Sequence, residues 1–81
     1  MKAKIFVTLK NGILDPQGRA IQQSLHSLGF STVEEVRIGK FMELDLNETD
    51  STSMETKIKA MCEKLLANTV IEDYQYEILE T

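Results

Sequence analysis

The segment from Val33 to Asn47 alternates between its two faces without a slip in parity. From position 36 onward its even-numbered positions are apolar except for one lysine: Val36, Ile38, Lys40, Met42, Leu44 and Leu46. A two-residue hairpin turn at Gly39-Lys40 would place Met42 and Leu44 on the opposite face from Ile38, among the charged residues. We therefore predict one long strand that bends at Gly39. At about 3.3 Å per residue it spans roughly 45 Å, more than one small domain can cover.

The whole chain has 81 residues, which is enough for one domain over residues 1–81. A domain of this size buries only about 60% of its unfolded surface, so it is marginally stable alone. Additional burial commonly comes from a second copy of the chain. We therefore expect a homodimer or a dimer of dimers, in which each half of the long strand pairs with elements of another molecule.

The remaining segments have the periodicities of two strands and two helices. The predicted elements are a strand over Lys2–Lys10, a helix from Pro16 to Gly29, a helix over Ser53–Ala67 and a strand over Val70–Leu79. Asp15 is placed to cap the first helix, and Thr52 to cap the second. The order predicts an α+β, β-α-β-α-β chain related to the ferredoxin-like fold, with its central hairpin straightened into the long strand. Its antiparallel sheet would be completed by dimerisation.

The charge balance excludes several classes of function. Thirteen acidic residues oppose nine scattered basic ones, for a net charge of −4, which argues against nucleic-acid binding. No apolar run exceeds three residues, too few for a membrane span or a signal sequence. A single cysteine, Cys62, rules out an internal disulfide. These features predict a cytoplasmic protein.

The sequence contains no recognisable constellation of catalytic groups. His26 is the only histidine and has no nucleophile at a suitable spacing, so we interpret it as an exposed or half-buried helix residue. Cys62 lies beside apolar helix positions and is interpreted as a small core residue. The acidic residues Asp45, Glu48 and Asp50 lack the spacing of a calcium loop. We expect no catalytic residue, no metal site and no cofactor in this chain.

Two short motifs are more informative. In the first, Asp15, Pro16, Gln17 and Gly18 form a turn that opens a helix. The second is the bend, where Arg37 and Lys40 flank Gly39 in an otherwise acidic domain. Lys40 has the parity of the apolar face, which suggests that it lies at an interface. We nominate all seven residues as partner or subunit contacts.

The same motifs carry a family resemblance. The stretches 7–10, 14–18, 36–44 and 62–74 read VTLK, LDPQG, VRIGKFMEL and CEKLLANTVIEDY. In this order they resemble PurS, the small subunit of phosphoribosylformylglycinamidine (FGAM) synthase, over nearly the whole chain.

The resemblance implies a non-catalytic subunit in de novo purine biosynthesis. In that family a large subunit carries the ATP-dependent synthetase, and a glutaminase subunit releases ammonia from glutamine. Together they convert formylglycinamide ribonucleotide, glutamine and ATP into FGAM, glutamate, ADP and phosphate. The small subunit bridges the other two as a dimer and supports ammonia transfer between them. It would be a required part of this ligase with no activity alone.

A second class of function also fits the predicted element order. Regulatory modules of the ACT type share a β-α-β-β-α-β order and bind amino acids at dimer interfaces. In such a module, Asn11-Gly12 and the turn from Asp15 to Gly18 would form the ligand loop. Saturable amino-acid binding would distinguish this sensor from a bridging subunit.

Overall fold

The computed structural model describes residues 1–80. Three strands and two helices follow one another as β1 (Lys2–Leu9), α1 (Pro16–Ser27), β2 (Gly39–Asp45), α2 (Ser51–Met61) and β3 (Glu72–Leu79). A single wider helical turn, Cys62–Leu66, continues directly from α2. The predicted β-α-β-α-β order is confirmed, and the element bounds differ by a few residues.

The three strands form one antiparallel sheet in the order β2-β1-β3. The first strand occupies the centre, where Ile5 lies opposite Met42 of β2 and Tyr76 of β3. Three consecutive residues of β1, Ile5, Phe6 and Val7, are of types enriched in strands, as expected for a strand bonded on both sides. Within residues 1–80, each outer strand keeps one edge that no other strand covers.

The chain does not double back at Gly39, so the hairpin alternative is excluded as predicted. However, the hydrogen-bonded strand starts only at Gly39, whereas the alternation predicted a strand from Val33. The reason lies in the neighbouring strand, because Thr8 opposite Gly39 is the last paired residue of β1 on that side. Residues 33–38 continue beyond the sheet and pair with none of the three described strands.

The core lies between one face of the sheet and α2. Its buried residues are Ala3, Ile5 and Val7 from β1 and Met54, Ile58, Cys62 and Ala67 from the second helical segment. Met42 and Leu44 pack against the edge of this cluster, as their parity predicts. The interpretation of Cys62 as a small core residue is confirmed, since its side chain is fully buried.

The opposite face of the sheet is not covered by either helix. Phe6 and Phe41 lie side by side there, with ring centroids 5.1 Å apart, and both remain substantially exposed. Lys2 approaches Glu43 to 3.7 Å on the same face. This face is therefore an aromatic pair surrounded by charged residues.

The helix caps follow the sequence in one case and depart from it in the other. Asp15 caps α1 and Pro16 occupies the first turn, as predicted. The prediction of Thr52 as the cap of α2 is wrong: the carboxylate of Asp50 accepts the Thr52 amide at 3.0 Å, so the helix begins at Ser51. Aspartate and threonine are both favourable capping residues, and here the earlier one, Asp50, accepts the free amide of the first helical turn. Within residues 1–80, neither helix has the length and apolarity needed to traverse a lipid bilayer.

Candidate interface site

The two predicted motifs meet in space at the carboxylate of Asp15. Its Oδ1 accepts the amide of Gly18 at 2.9 Å, and its Oδ2 accepts the amide of Ile38, also at 2.9 Å. The second bond joins residues 23 positions apart. Asp15 is only 9% exposed. The turn before α1 is thus bonded directly to the segment before β2.

Hydrogen bonds to the charged form lower the pKa of the Asp15 carboxyl. The Ile38 amide contributes most and the Gly18 amide next; desolvation works in the opposite direction, and the positive charge of Arg37 adds a smaller lowering. The carboxylate therefore stays ionised well below neutral pH, and both of its oxygens act only as acceptors.

Arg37 fastens the same junction to the end of β1. Its Nη2 donates to the carbonyl oxygens of Leu9 at 2.5 Å and Lys10 at 3.1 Å. Its Nε lies 3.9 Å from Asp15 Oδ2, and this buried nitrogen has no hydrogen-bond partner among the described residues. The guanidinium thus donates hydrogen bonds to the carbonyls at the end of β1, and its positive charge lies close to the carboxylate of Asp15.

Both nominated glycines mark close approaches of two backbones. A Cβ on Gly18 would overlap the carbonyl oxygen of Val36, and one on Gly39 would overlap that of Val7. Neither glycine has a positive φ, so space and not backbone conformation excludes a side chain. Gly18 therefore allows α1 to lie against the segment before β2, which explains a glycine in a first helical turn.

The other nominated residues line an open cavity of about 530 Å³ beside this junction. Pro16, Gln17 and Lys40 contribute to its wall, together with apolar side chains from β1 and with Glu72. The Nζ of Lys40 lies 3.9 Å from the Glu72 carboxylate, and its side chain is 67% exposed. Lys40 thus shares the covered face of the sheet, as its parity predicts, at the end that α2 leaves open. The role of these residues in subunit contacts remains a prediction.

The apolar stripe of α1 does not reach the core of its own chain. Ile21 is 41% exposed and Leu28 is 73% exposed, and α1 contributes no residue to the buried cluster. Phe30, just beyond the helix, and Leu14, just before its cap, are also largely exposed. The i, i+4 and i+7 spacing of Ile21, Leu25 and Leu28 predicts the stripe from the sequence, but this spacing does not include Phe30. Its position next to the helix-ending Gly29 was the available signal.

The histidine and the cysteine considered for catalysis lie in surroundings that do not activate them. His26 is exposed, and its Nε2 lies 2.7 Å from the carbonyl oxygen of Val33. Burial, and to a lesser degree the charge of Glu63, raises the pKa of the Cys62 thiol, which makes it a poor nucleophile. Among residues 1–80, no group of three potential ligand side chains is arranged to hold a metal ion.

Fold and site together define a small α+β protein. Its buried polar groups bond its own segments to one another, and the apolar face of α1 remains exposed.

Comparisons with known proteins identify the family to which the chain belongs. Residues 2–80 match the family described as PurS: Phosphoribosylformylglycinamidine (FGAM) synthase. A curated relative from Bacillus subtilis, phosphoribosylformylglycinamidine synthase subunit PurS, is 54% identical over 98% of this chain and 93% of its own length.

Solved structures agree with the sequence comparison. PurS of Methanocaldococcus jannaschii superposes with a TM-score of 0.88 at 39% identity, over 99% of this chain and 96% of that one. A chain in the structure of PurLQS from Thermotoga maritima gives 0.87 at 29% identity, over 96% and 95% of the two chains. The chain belongs to the PurS family.

Proposed function

We propose that this chain is the small, non-catalytic subunit of FGAM synthase in purine biosynthesis, and that it bridges the glutaminase and synthetase subunits as a dimer. Membership of the PurS family carries the proposal. The M. jannaschii relative is described as one of the subunits of formylglycinamide ribonucleotide amidotransferase in the purine biosynthetic pathway. The Thermotoga relative is part of PurLQS. We place the chain in the cytoplasm, where this pathway's substrates are available.

The free face of α1 supports self-association. Ile21 and Leu28 are exposed, although apolar side chains at this spacing normally cover a core. Residues 33–38 likewise lie outside the sheet, and no strand within residues 1–80 pairs with them. A second copy with the same two features can cover both through a two-fold contact.

A bridging subunit makes physical sense for a reaction that transfers ammonia. Ammonia in neutral water is mostly protonated, and the ammonium ion lacks the lone pair that must attack the activated amide. A joint that holds the two active sites together and excludes water preserves the nucleophile. Chemistry and ATP use would belong to the other subunits, and this chain would bind no cofactor of its own.

Reconstitution with the other two subunits tests this function. The three purified proteins are assayed for glutamine-dependent formation of FGAM, and each is omitted in turn. We expect activity only when all three are present, and no ammonia release from glutamine by this chain alone. Full glutamine-dependent turnover without this chain, or glutaminase activity of the isolated chain, would contradict the proposal.

The ACT-type alternative keeps one supporting observation, which is the cavity beside Gln17 and Lys40. Its mixed wall of apolar, cationic and anionic groups is of a size that suits an amino acid. Titration of the pure protein with the twenty amino acids, read by melting temperature, separates the two functions. Saturable stabilisation by one amino acid would favour the sensor.

A further inference from the structure

Helix α1 and the segment that follows it form an arm that is joined to the rest of the molecule at one place. The arm comprises residues 16–38. Within it, Gln22 Nε2 donates to the Glu34 carbonyl at 2.9 Å and His26 Nε2 lies 2.7 Å from the Val33 carbonyl oxygen, so these two contacts connect the helix to the returning segment. The arm leaves the sheet beyond the end of β1, and the molecule measures 49 Å in its longest direction against 14 Å in its shortest.

The described bonds that hold the two ends of the arm in place converge on Asp15, just before the arm, and on Arg37. The carboxylate ties the first turn of α1 to the start of β2 through the amides of Gly18 and Ile38. The guanidinium ties the same point to the carbonyls of Leu9 and Lys10. Because no apolar residue of α1 packs in the core, no second contact surface of comparable size fixes the direction of the helix.

We propose that Asp15 is a positioning residue for assembly: its carboxylate fixes the direction in which the arm projects, and thereby presents the apolar face of α1 to a second copy of the chain. This inference rests on the proposed self-association of the protein. It adds that pairing depends on the hydrogen bonds of Asp15 and Arg37, here called the charged joint. This joint lies outside the apolar contact between the two copies.

The chemistry of the site requires a carboxylate. Two backbone amides approach the side chain from different elements, and each needs an acceptor. Asparagine has nearly the same shape but carries one acceptor oxygen and an NH₂ donor, so one amide would face a donor. It also leaves Arg37 without the opposite charge 3.9 Å from its Nε. Asp15→Asn therefore loosens the joint without enlarging or emptying the core.

The matched control is Asp50→Asn. Asp50 also caps a helix, but its carboxylate accepts one amide within its own turn and bonds no distant segment among residues 1–80. Asparagine is as good a cap as aspartate at such a position. Any general effect of losing one acidic charge from the chain appears equally in both variants.

Two measurements follow the arm. The dissociation constant of the homodimer is obtained by sedimentation. The arm's direction is obtained from spin labels on cysteines introduced at the exposed positions Gln23 and Lys64, in full-length chains diluted with excess unlabelled protein. The native Cys62 is buried and does not compete for the label. For Asp15→Asn we expect weaker pairing by about tenfold, in the range of helix-cap losses, and a broadened label distance. Asp50→Asn keeps both values of the unsubstituted chain.

The outcomes separate this inference from the function on which it rests. A dimer with unchanged affinity and a narrow label distance in Asp15→Asn overturns the inference and leaves the bridging function intact. A chain that is monomeric at all concentrations overturns the self-association and the inference together. If Asp15→Asn fails to fold, Arg37→Gln provides the same test from the other side of the joint, and unaltered pairing there overturns the inference.

Discussion

The backbone of Gly18 lies against the carbonyl oxygen of Val36 so closely that a Cβ on residue 18 would overlap that oxygen. The first turn of α1 and the segment leading into β2 are thereby in direct backbone contact. This contact allows the Asp15 carboxylate to reach the Ile38 amide. One glycine thus allows the two ends of the arm to meet at the Asp15 carboxylate.

Replacing Gly18 by alanine is expected to destabilise the protein. In an ordinary helix this change stabilises by about 0.5–1 kcal/mol, because glycine has the larger backbone entropy in the unfolded chain. Here the added methyl group must displace the Val36 carbonyl, and overpacking of this kind costs about 1–3 kcal/mol. Urea denaturation at a fixed protein concentration measures the change. Ser24→Ala, at an exposed position of the same helix, is the control, and a stabilised Gly18→Ala protein would refute the close contact.

The apolar face of α1 is expected to matter for pairing and not for the core. Ile21→Ser combined with Leu28→Ser removes two exposed apolar side chains that contact no buried cluster of this chain. If they lie at the centre of a homodimer interface, their loss costs more than about 1 kcal/mol each, so the dissociation constant rises at least tenfold. Sedimentation gives the constant. Val70→Ser, which alters another exposed apolar residue, should leave it unchanged; equal affinities in all three proteins would place the interface elsewhere.

The core between α2 and the sheet makes a separate prediction. Ile58 is fully buried in the core cluster, and truncation to alanine should lower the free energy of unfolding by about 2–5 kcal/mol. Leu65 lies in the wider turn after α2 and is 83% exposed, so Leu65→Ala should change stability by less than about 0.5 kcal/mol. Chemical denaturation of both variants tests the contrast. Similar losses would mean that the turn after α2 is buried in the assembled protein.

Much of this architecture could be predicted from the sequence, because strand parity and helix caps are local signals. The parity of Met42 and Leu44 correctly assigned their face and excluded the hairpin at Gly39. The length of β2 could not be predicted, since pairing ends where β1 ends and alternation continues regardless of a neighbour. Asp50 was missed as a cap because two good capping residues stand two positions apart.

The candidate site was predicted as two motifs but not as one joint. Asp15 and Arg37 were each identified from local patterns, the cap and the charged bend. The two motifs meet through a hydrogen bond between the Asp15 side chain and the backbone amide of Ile38. Because almost every residue has a backbone amide, the sequence does not indicate which of them is the partner. The direction of α1 could not be predicted either. An apolar stripe indicates that a helix face is buried, but not whether its own chain or a second molecule covers it.

The ion pair of Lys40 and Glu72 offers a test by charge exchange. The two groups are 3.9 Å apart, and Lys40 is mostly exposed, so the pair contributes at most about 1 kcal/mol to the stability of the single chain. Lys40→Glu would place two carboxylates at the mouth of the cavity and should weaken assembly more than it weakens folding. Adding Glu72→Lys restores one charge of each sign. Recovery of glutamine-dependent activity in the double variant would locate the effect in this pair, and its absence would point to a partner's acidic group facing Lys40.

Acid should weaken the joint through Asp15. The amides of Ile38 and Gly18 lower the pKa of this carboxyl, so its contribution to stability is complete above its ordinary pKa of about 4 and disappears as the pH falls through the lower value of the folded state. The charged groups around it are Arg37, which adds to the lowering, with Arg19 and Glu35 on one side and Lys40 and Glu72 on the other.

Urea denaturation of the unsubstituted chain and of Asp15→Asn at several pH values tests this loss of stability in acid. We expect a difference in free energy of unfolding that is constant from pH 7 to about pH 5 and shrinks below about pH 4. Glu35→Gln, which removes an exposed carboxylate near Arg37 but frees no amide, should show a much smaller difference throughout. A difference for Asp15→Asn that persists unchanged to pH 2 would show that the ionised carboxylate does not hold the arm.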